Sequence, residues 1–240
     1  MRDIVYPGLD LHTRQRAVLL RYWRQGDREV LDAGSGNGFF SWLAYKSGAS
    51  VVAYNIDGAQ VAKAHAYLIN HKRANPARLA LEHRSLHDLS FETRRFDEII
   101  CYETLEHIKD DADVVRSFSR VLRPGGTLHL CCPFRLHPRH LAERLDLAET
   151  GGHVRHGYTD DDYRALLTPL GFQIEEIVGL GSSRVYWADR IMRSIRNRVG
   201  DATALPLLPL ALLVLRFDRS NPRVPFSLYV RATKPGRVVS

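Results

Sequence analysis

The 240 residues carry 34 Lys+Arg against 27 Asp+Glu, a formal charge of +7, with 45% hydrophobic and 25% charged residues. That composition excludes a disordered chain, and only three cysteines exclude a disulfide-stapled miniprotein. Residues 1–180 hold 23 basic and 24 acidic side chains while residues 181–240 hold 11 and 3, so the surplus argues for one anion-facing surface and against general nucleic-acid affinity.

In chain order, Met1 to Pro7 has no apolar stretch after its charge and does not read as a secretory signal. Helical spacing covers Thr13 to Trp23. Glu29 to Ala33 reads as a buried strand, Phe39 to Lys46 as a helix, Ser50 to Asn55 as a second strand and Ala59 to Asn70 as a second helical stretch. Strands follow at Leu79 to His83 and Asp97 to Tyr102, then a helix over Asp113 to Leu122. The turn Pro124-Gly125-Gly126 launches a strand from Thr127 to Cys132. Asp160 to Leu167 is helical, Gln173 to Val178 extended, and Phe226 to Arg231 the last strand. Cys101, Cys131 and Cys132 form an odd, partly vicinal set, which points to a reducing, cytoplasmic compartment. This alternation predicts an α/β fold, a parallel sheet with helices on both faces, and ligands beyond the carboxyl ends of its strands. Residues 1–180 read as the core, and residues 181–240 as an insertion plus a final strand completing the same domain.

Asp32-Ala33-Gly34-Ser35-Gly36-Asn37-Gly38 joins the first strand to a helix. Closely spaced glycines let a ligand approach the main chain beside free helix N–H groups. The third glycine comes one residue earlier than in G-x-G-x-x-G, and Asp32 precedes the loop. An anion there does not favour a pyrophosphate, but it does favour a ligand with an ammonium and a sulfonium.

Farther on, Phe96-Asp97-Glu98-Ile99-Ile100-Cys101-Tyr102-Glu103-Thr104-Leu105-Glu106-His107 is followed by Leu122-Arg123-Pro124-Gly125-Gly126. With the glycine loop, this set resembles the motifs of class I S-adenosylmethionine-dependent methyltransferases, over roughly residues 10 to 180. The resemblance implies a Rossmann-like, mostly parallel seven-stranded sheet whose last strand is antiparallel, and S-adenosylmethionine as cofactor. By position it implies Asp32, Gly34 and Gly36 at the methionine end. Asn55, with Asp57 two residues on, stands where the family places an acid for the ribose; an amide offers a carbonyl but not a carboxylate's charged pair. The Leu86 backbone stands near the adenine. Cys101 either flanks the sulfonium or is a small buried residue, and both readings stay open. Tyr6 and His12 could cover the cofactor.

Methyl transfer to a hydroxyl needs alignment and a proton acceptor. Glu106 and His107, with the later His156, are the candidate catalytic residues. On a helix, Glu103 and Glu106 would share a face, with His107 beside it. In ubiquinone-pathway and small-RNA relatives a similar E-x-x-E-H stretch holds a divalent ion. A metal is therefore an option here, to which no ligand set is assigned. No Asn/Asp-Pro-Pro-Tyr follows the fourth strand, which disfavours adenine or glutamine amino groups. The resemblance implies O-methylation of a small, lipid-linked, glycan or quinone-type acceptor. An RNA 2′-O-methyltransferase and a non-catalytic cofactor-binding scaffold remain as alternatives. The oligomeric state stays open.

Arg184 to Val199 reads as a basic amphipathic helix, with Trp187, Ile191, Ile195 and Val199 every four residues. The apolar run from Ala202 to Leu215 is broken by Pro206 and Pro209 and falls short of the ~20 residues that span a bilayer. Residues 184–216 either make peripheral contact with a membrane or pack their apolar face on the body, with Leu205 to Leu215 capping the acceptor pocket.

Overall fold

The computed structural model describes residues 11–91, 93–148, 150–200, 204–218 and 222–236. Its strands are β1 (Glu29–Ala33), β2 (Ser50–Asn55), β3 (Leu79–His83), β4 (Phe96–Tyr102), β5 (Leu122–Pro133), β6 (Gln173–Leu180) and β7 (Ser227–Thr233). They form one mixed sheet in the order β3-β2-β1-β4-β5-β7-β6, the expected Rossmann-like arrangement with antiparallel strands at its end. The first five strands pair in parallel. Parallel strands are covered on both faces, so β1 and β2 read as continuous apolar runs.

The helices are α1 (Leu11–Arg16), α2 (Phe39–Lys46), α3 (Gly58–His65), α4 (Asp111–Val121), α5 (Pro138–Leu141), α6 (Asp160–Leu167), α7 (Ser183–Val199) and α8 (Leu208–Arg216). The stretch expected as one helix from Thr13 to Trp23 tightens to a 3-10 turn at Ala17–Tyr22. α6 starts with a capping box, in which Thr159 accepts from the Asp162 N–H and Asp162 accepts from the Thr159 N–H.

β5 starts five residues before the expected Thr127. Phe96 pairs with Leu122 but Glu98 with Thr127, so Pro124-Gly125-Gly126 is absorbed as an irregularity inside the strand. The Gly125 N–H donates to the Lys234 carbonyl at 2.7 Å, and the Lys234 N–H to the Gly126 carbonyl at 2.9 Å. A Pro–Gly–Gly run tolerated in this way is a bulge that still pairs, not a strand terminus.

The described residues of 24–177 and 228–236 form one compact unit, and the described residues of 11–23 and 178–227 another. The apolar core of the larger unit includes Leu31, Ile99, Cys101, Phe118, Leu128, Leu130, Tyr163 and Val230. Glu98 and His129 alternate with those strand residues and so lie on the other sheet face. There Glu98 pairs with Arg28, accepts the Arg24 N–H at 3.0 Å and lies 3.3 Å from His129 Nε2. His129 Nδ1 is 2.7 Å from the Tyr229 hydroxyl. The smaller unit is centred on Leu11, Met192, Ala204 and Ala211. Among the described residues, no helix is long and apolar enough to cross a membrane.

Candidate functional site

β1 delivers Asp32, buried, to the start of the glycine loop. The Ser41 hydroxyl donates to Asp32 Oδ2 at 2.5 Å. Burial outweighs that bond and pushes the carboxyl up to about 6. An ionised Asp32 is therefore held at a cost that a cationic ligand would offset. The Gly34 and Ser35 N–H groups both donate to the Tyr54 carbonyl at 2.9 Å, which ties the loop to β2. Gly34 has φ +83°, and a Cβ there would lie 2.2 Å from Thr104 Oγ1. Only glycine lets the β1 and β4 exits approach this closely. At Gly36, φ +53°, a Cβ would meet nothing nearer than Gln60 Oε1 at 3.8 Å, so the space above it is open.

The two expected ribose groups carry structural bonds of their own. The Asn55 amide donates to the Gly36 carbonyl at 3.1 Å, and its oxygen accepts the Asp57 N–H at 2.9 Å. Asp57 caps α3, accepting the Ala59 and Gln60 N–H groups and the Gln60 side chain. The bonds from Gln60 hold its exposed carboxyl below the usual range. Leu86 and Cys101 both lie inside the apolar core, and burial pushes the Cys101 thiol up. Tyr102, the next residue, is on the opposite face, edge-on to Phe40 at 4.8 Å. His12 stacks on Phe226 at 4.0 Å and lies 3.7 Å from Asp189 within the smaller unit. Tyr6 lies outside the described residues.

After β4 the chain does not enter a helix. Glu103 sits at φ +51°, and Leu105–His107 makes a single 3-10 turn. The left-handed residue breaks the helical spacing, so Glu103 and Glu106 do not share a helix face. Glu106 is fully buried, 4.0 Å from His107 Nε2. His107 Nδ1 contacts the Gly152 carbonyl at 3.0 Å. A carbonyl only accepts, so Nδ1 carries the proton. Burial lowers the His107 pKa, which favours a neutral ring with its lone pair on Nε2.

His153, not His156, is the later histidine facing this turn. Its ring lies edge-on to His107 at 4.7 Å, and its Nδ1 is 2.9 Å from Glu143 Oε2. Glu106, His107 and His153 each bring a ligand atom within 4.8 Å of the others. His156 is half-buried and outside this group. The loop carrying His153 is clamped locally. The Val154 N–H donates to the Glu106 carbonyl at 2.8 Å. Arg155 pairs with Asp111 and donates to the Ile108 and Lys109 carbonyls. The Tyr158 hydroxyl donates to Asp111 at 2.5 Å. Gly157, φ +113°, lets the chain pass so close to β5 that a Cβ would lie 1.9 Å from the Pro133 carbonyl oxygen. Asp146 closes the loop by accepting the Gly152 and Thr150 N–H groups and the Thr150 hydroxyl, which hold its carboxyl at about 2. Glu143 has no sequence signal, because it falls between motifs and meets His153 only through this loop.

Comparison with known proteins decides the family. The family model described as "Methyltransferase domain" matches residues 10–177. The chain belongs to that methyltransferase family. A probable S-adenosylmethionine-dependent methyltransferase of Mycolicibacterium smegmatis is 29% identical over 167 residues, which cover 65% of this chain and 56% of that protein. The ubiquinone biosynthesis O-methyltransferase of Pseudomonas aeruginosa is 28% identical over 168 residues, covering 64% of this chain and 68% of the enzyme. The fold is shared with an S-adenosylmethionine-dependent methyltransferase of Mesorhizobium loti, with a TM-score of 0.62, 21% identity and coverage of 93% and 99%. The methyltransferase is thus of the class I, S-adenosylmethionine-dependent kind that its motifs resemble.

A buried carboxylate that ionises only near pH 6 gives a testable consequence for this methyltransferase. Asp32→Asn should raise the melting temperature of the ligand-free protein at pH 8, by an amount equivalent to about 1–3 kcal/mol, because a raised carboxyl pKa removes stability as pH climbs through it. The same change should weaken S-adenosylmethionine binding in calorimetry.

Proposed function

We propose that this methyltransferase moves the methyl group of S-adenosylmethionine to a hydroxyl of a small, quinone-type, glycan or lipid-linked acceptor, with His107 receiving the hydroxyl proton. The observation that carries this reading is the His107 ring at the exit of β4, held through Nδ1 on the Gly152 carbonyl at 3.0 Å, which leaves Nε2 as the nitrogen that can take a proton. In the proposed step the acceptor oxygen forms a bond to the methyl carbon as the carbon–sulfur bond breaks. His107 Nε2 would take the hydroxyl proton, and S-adenosylmethionine, when bound, would supply the methyl group and leave as a neutral thioether. In-line alignment and exclusion of water supply most of the acceleration, and a positioned base adds roughly 10²- to 10⁴-fold. Asp32, Gly34, Gly36, Asn55, Asp57, Leu86 and Cys101 are the proposed cofactor residues. For Leu86 and Cys101 the proposal is limited to backbone contact and packing, because their side chains lie in the core. The likeness to an enzyme named as an O-methyltransferase supports an oxygen acceptor.

One observation favours a second reading. Glu106, His107 and His153 could hold a divalent cation, and a set with one carboxylate and two imidazoles suits Mn²⁺ or Zn²⁺ better than Mg²⁺. A bound cation would lower the pKa of the acceptor hydroxyl. Methyl transfer with and without EDTA separates the two readings. The His107 base requires full turnover in EDTA. The cation requires loss of turnover with cofactor binding retained and restoration by Mn²⁺ or Zn²⁺.

A further inference from the structure

We propose that the outer face of α7 and α8 is a docking surface for an anionic lipid bilayer. α8 is apolar on both sides. Leu208, Ala211 and Leu215 pack into the core of the smaller unit. On the opposite side Leu210, Leu213 and Phe217, at i, i+3 and i+7, are 66%, 48% and 67% exposed. A helix whose only environment is water carries polar residues there. α7 also carries apolar side chains outward. Its buried face is Val185, Asp189 and Met192, while Trp187 and Ile191 are each 58% exposed. Ile195 of the four-residue series turns in to pack on the core of the smaller unit, so the outward apolar patch of α7 is Trp187 and Ile191.

Charge chooses the occupant. Arg184, Arg190 and Arg198 are exposed beside that patch, and the Arg190 guanidinium lies 5.8 Å from the Trp187 ring. The described acids of this region are turned away from it. Asp189 is buried, accepting the Leu11 N–H and pairing with Arg193. Asp218 is half-buried and accepts from the Gln15 side chain. A second copy of the chain would bring the same arginines against these, which is repulsive. An anionic bilayer meets every part of the surface. Phosphates pair with the arginines, the headgroup region suits Trp187, and the acyl boundary takes Leu210, Leu213 and Phe217. The attachment is peripheral, since neither helix can span. It does not depend on which acceptor atom is methylated.

Sedimentation of the full-length protein with vesicles tests this. The protein should pellet with phosphatidylcholine–phosphatidylglycerol vesicles, not with phosphatidylcholine alone, and less as salt rises. Arg190→Gln/Arg198→Gln should weaken binding roughly thirtyfold. Leu210→Ser/Leu213→Ser/Phe217→Ser should weaken it at least about tenfold. Calorimetry with S-adenosylmethionine reports whether each variant is folded, and if the apolar variant is not, the arginine variant decides. Failure to pellet with anionic vesicles, or equal pelleting of wild type and the folded variants, overturns the proposal. So does an apolar variant that converts a dimer to a monomer while vesicles are ignored.

Discussion

His107→Ala should lower turnover roughly 10²- to 10⁴-fold while S-adenosylmethionine affinity is unchanged. The size follows from the role proposed. A hydroxyl is a poor nucleophile while it keeps its proton, and the proposed base, His107, has its Nδ1 already fixed by the Gly152 carbonyl. His107→Asn provides the control. Its amide can still donate to that carbonyl, which preserves the clamp on the 146–158 loop, yet it cannot take a proton. Both variants should therefore be equally slow, with the loss in kcat and not in KM for the acceptor. A fast His107→Asn would show that the ring serves only to hold the loop. Glu143→Gln should leave turnover near wild type under the His107-base reading and lower it only under the cation reading, because Glu143 contacts His153 and not His107.

Glu98→Ala should cost about 3–5 kcal/mol of stability, measured by urea unfolding, because it leaves the buried Arg28 guanidinium without its carboxylate. Burial alone would push the Glu98 carboxyl up. The hydrogen bonds from His129, the Arg24 N–H and Arg28 outweigh burial and hold it at about 2. A carboxyl depressed in the folded state contributes stability above its unfolded value and loses it as pH falls. Here that contribution is about 3 kcal/mol, fully present at neutral pH and lost between about pH 4.5 and 2. Wild type should therefore lose stability steeply over that interval, and a Glu98→Gln variant should lose much less. Parallel acid-unfolding curves for the two proteins would contradict the assignment.

The parts of this architecture that lie contiguous in the chain were legible in the sequence. Val30-Leu31 and Val51-Val52 announce buried parallel strands because both of their faces are covered, and Asp32 with its glycines announces the tight strand-to-helix loop proposed for the cofactor because strand, acid and turn are adjacent. What depends on distant closure was not. The choice of His153 over His156 rests on the Val154–Glu106 and Arg155–Asp111 bonds across more than 40 residues. Glu103 carries a helix-compatible spacing but sits in a left-handed conformation that spacing does not reveal. The every-fourth-residue stripe of α7 was visible, yet periodicity does not say whether a stripe faces a core or something outside. Val185 and Met192, buried instead, follow the same helical period on another face.

Transfer of the methyl group to oxygen at the His107 turn is open to direct measurement. The direct measurement uses S-adenosylmethionine with an isotope-labelled methyl group, a panel of catechols, hydroquinones and matched amines, and magnetic resonance of the products. Wild type should form a labelled methoxy group on a hydroxyl acceptor, and His107→Ala should form it roughly 10²- to 10⁴-fold more slowly. Label found only on amine nitrogen, or methoxy formed at the wild-type rate by His107→Ala, would contradict it.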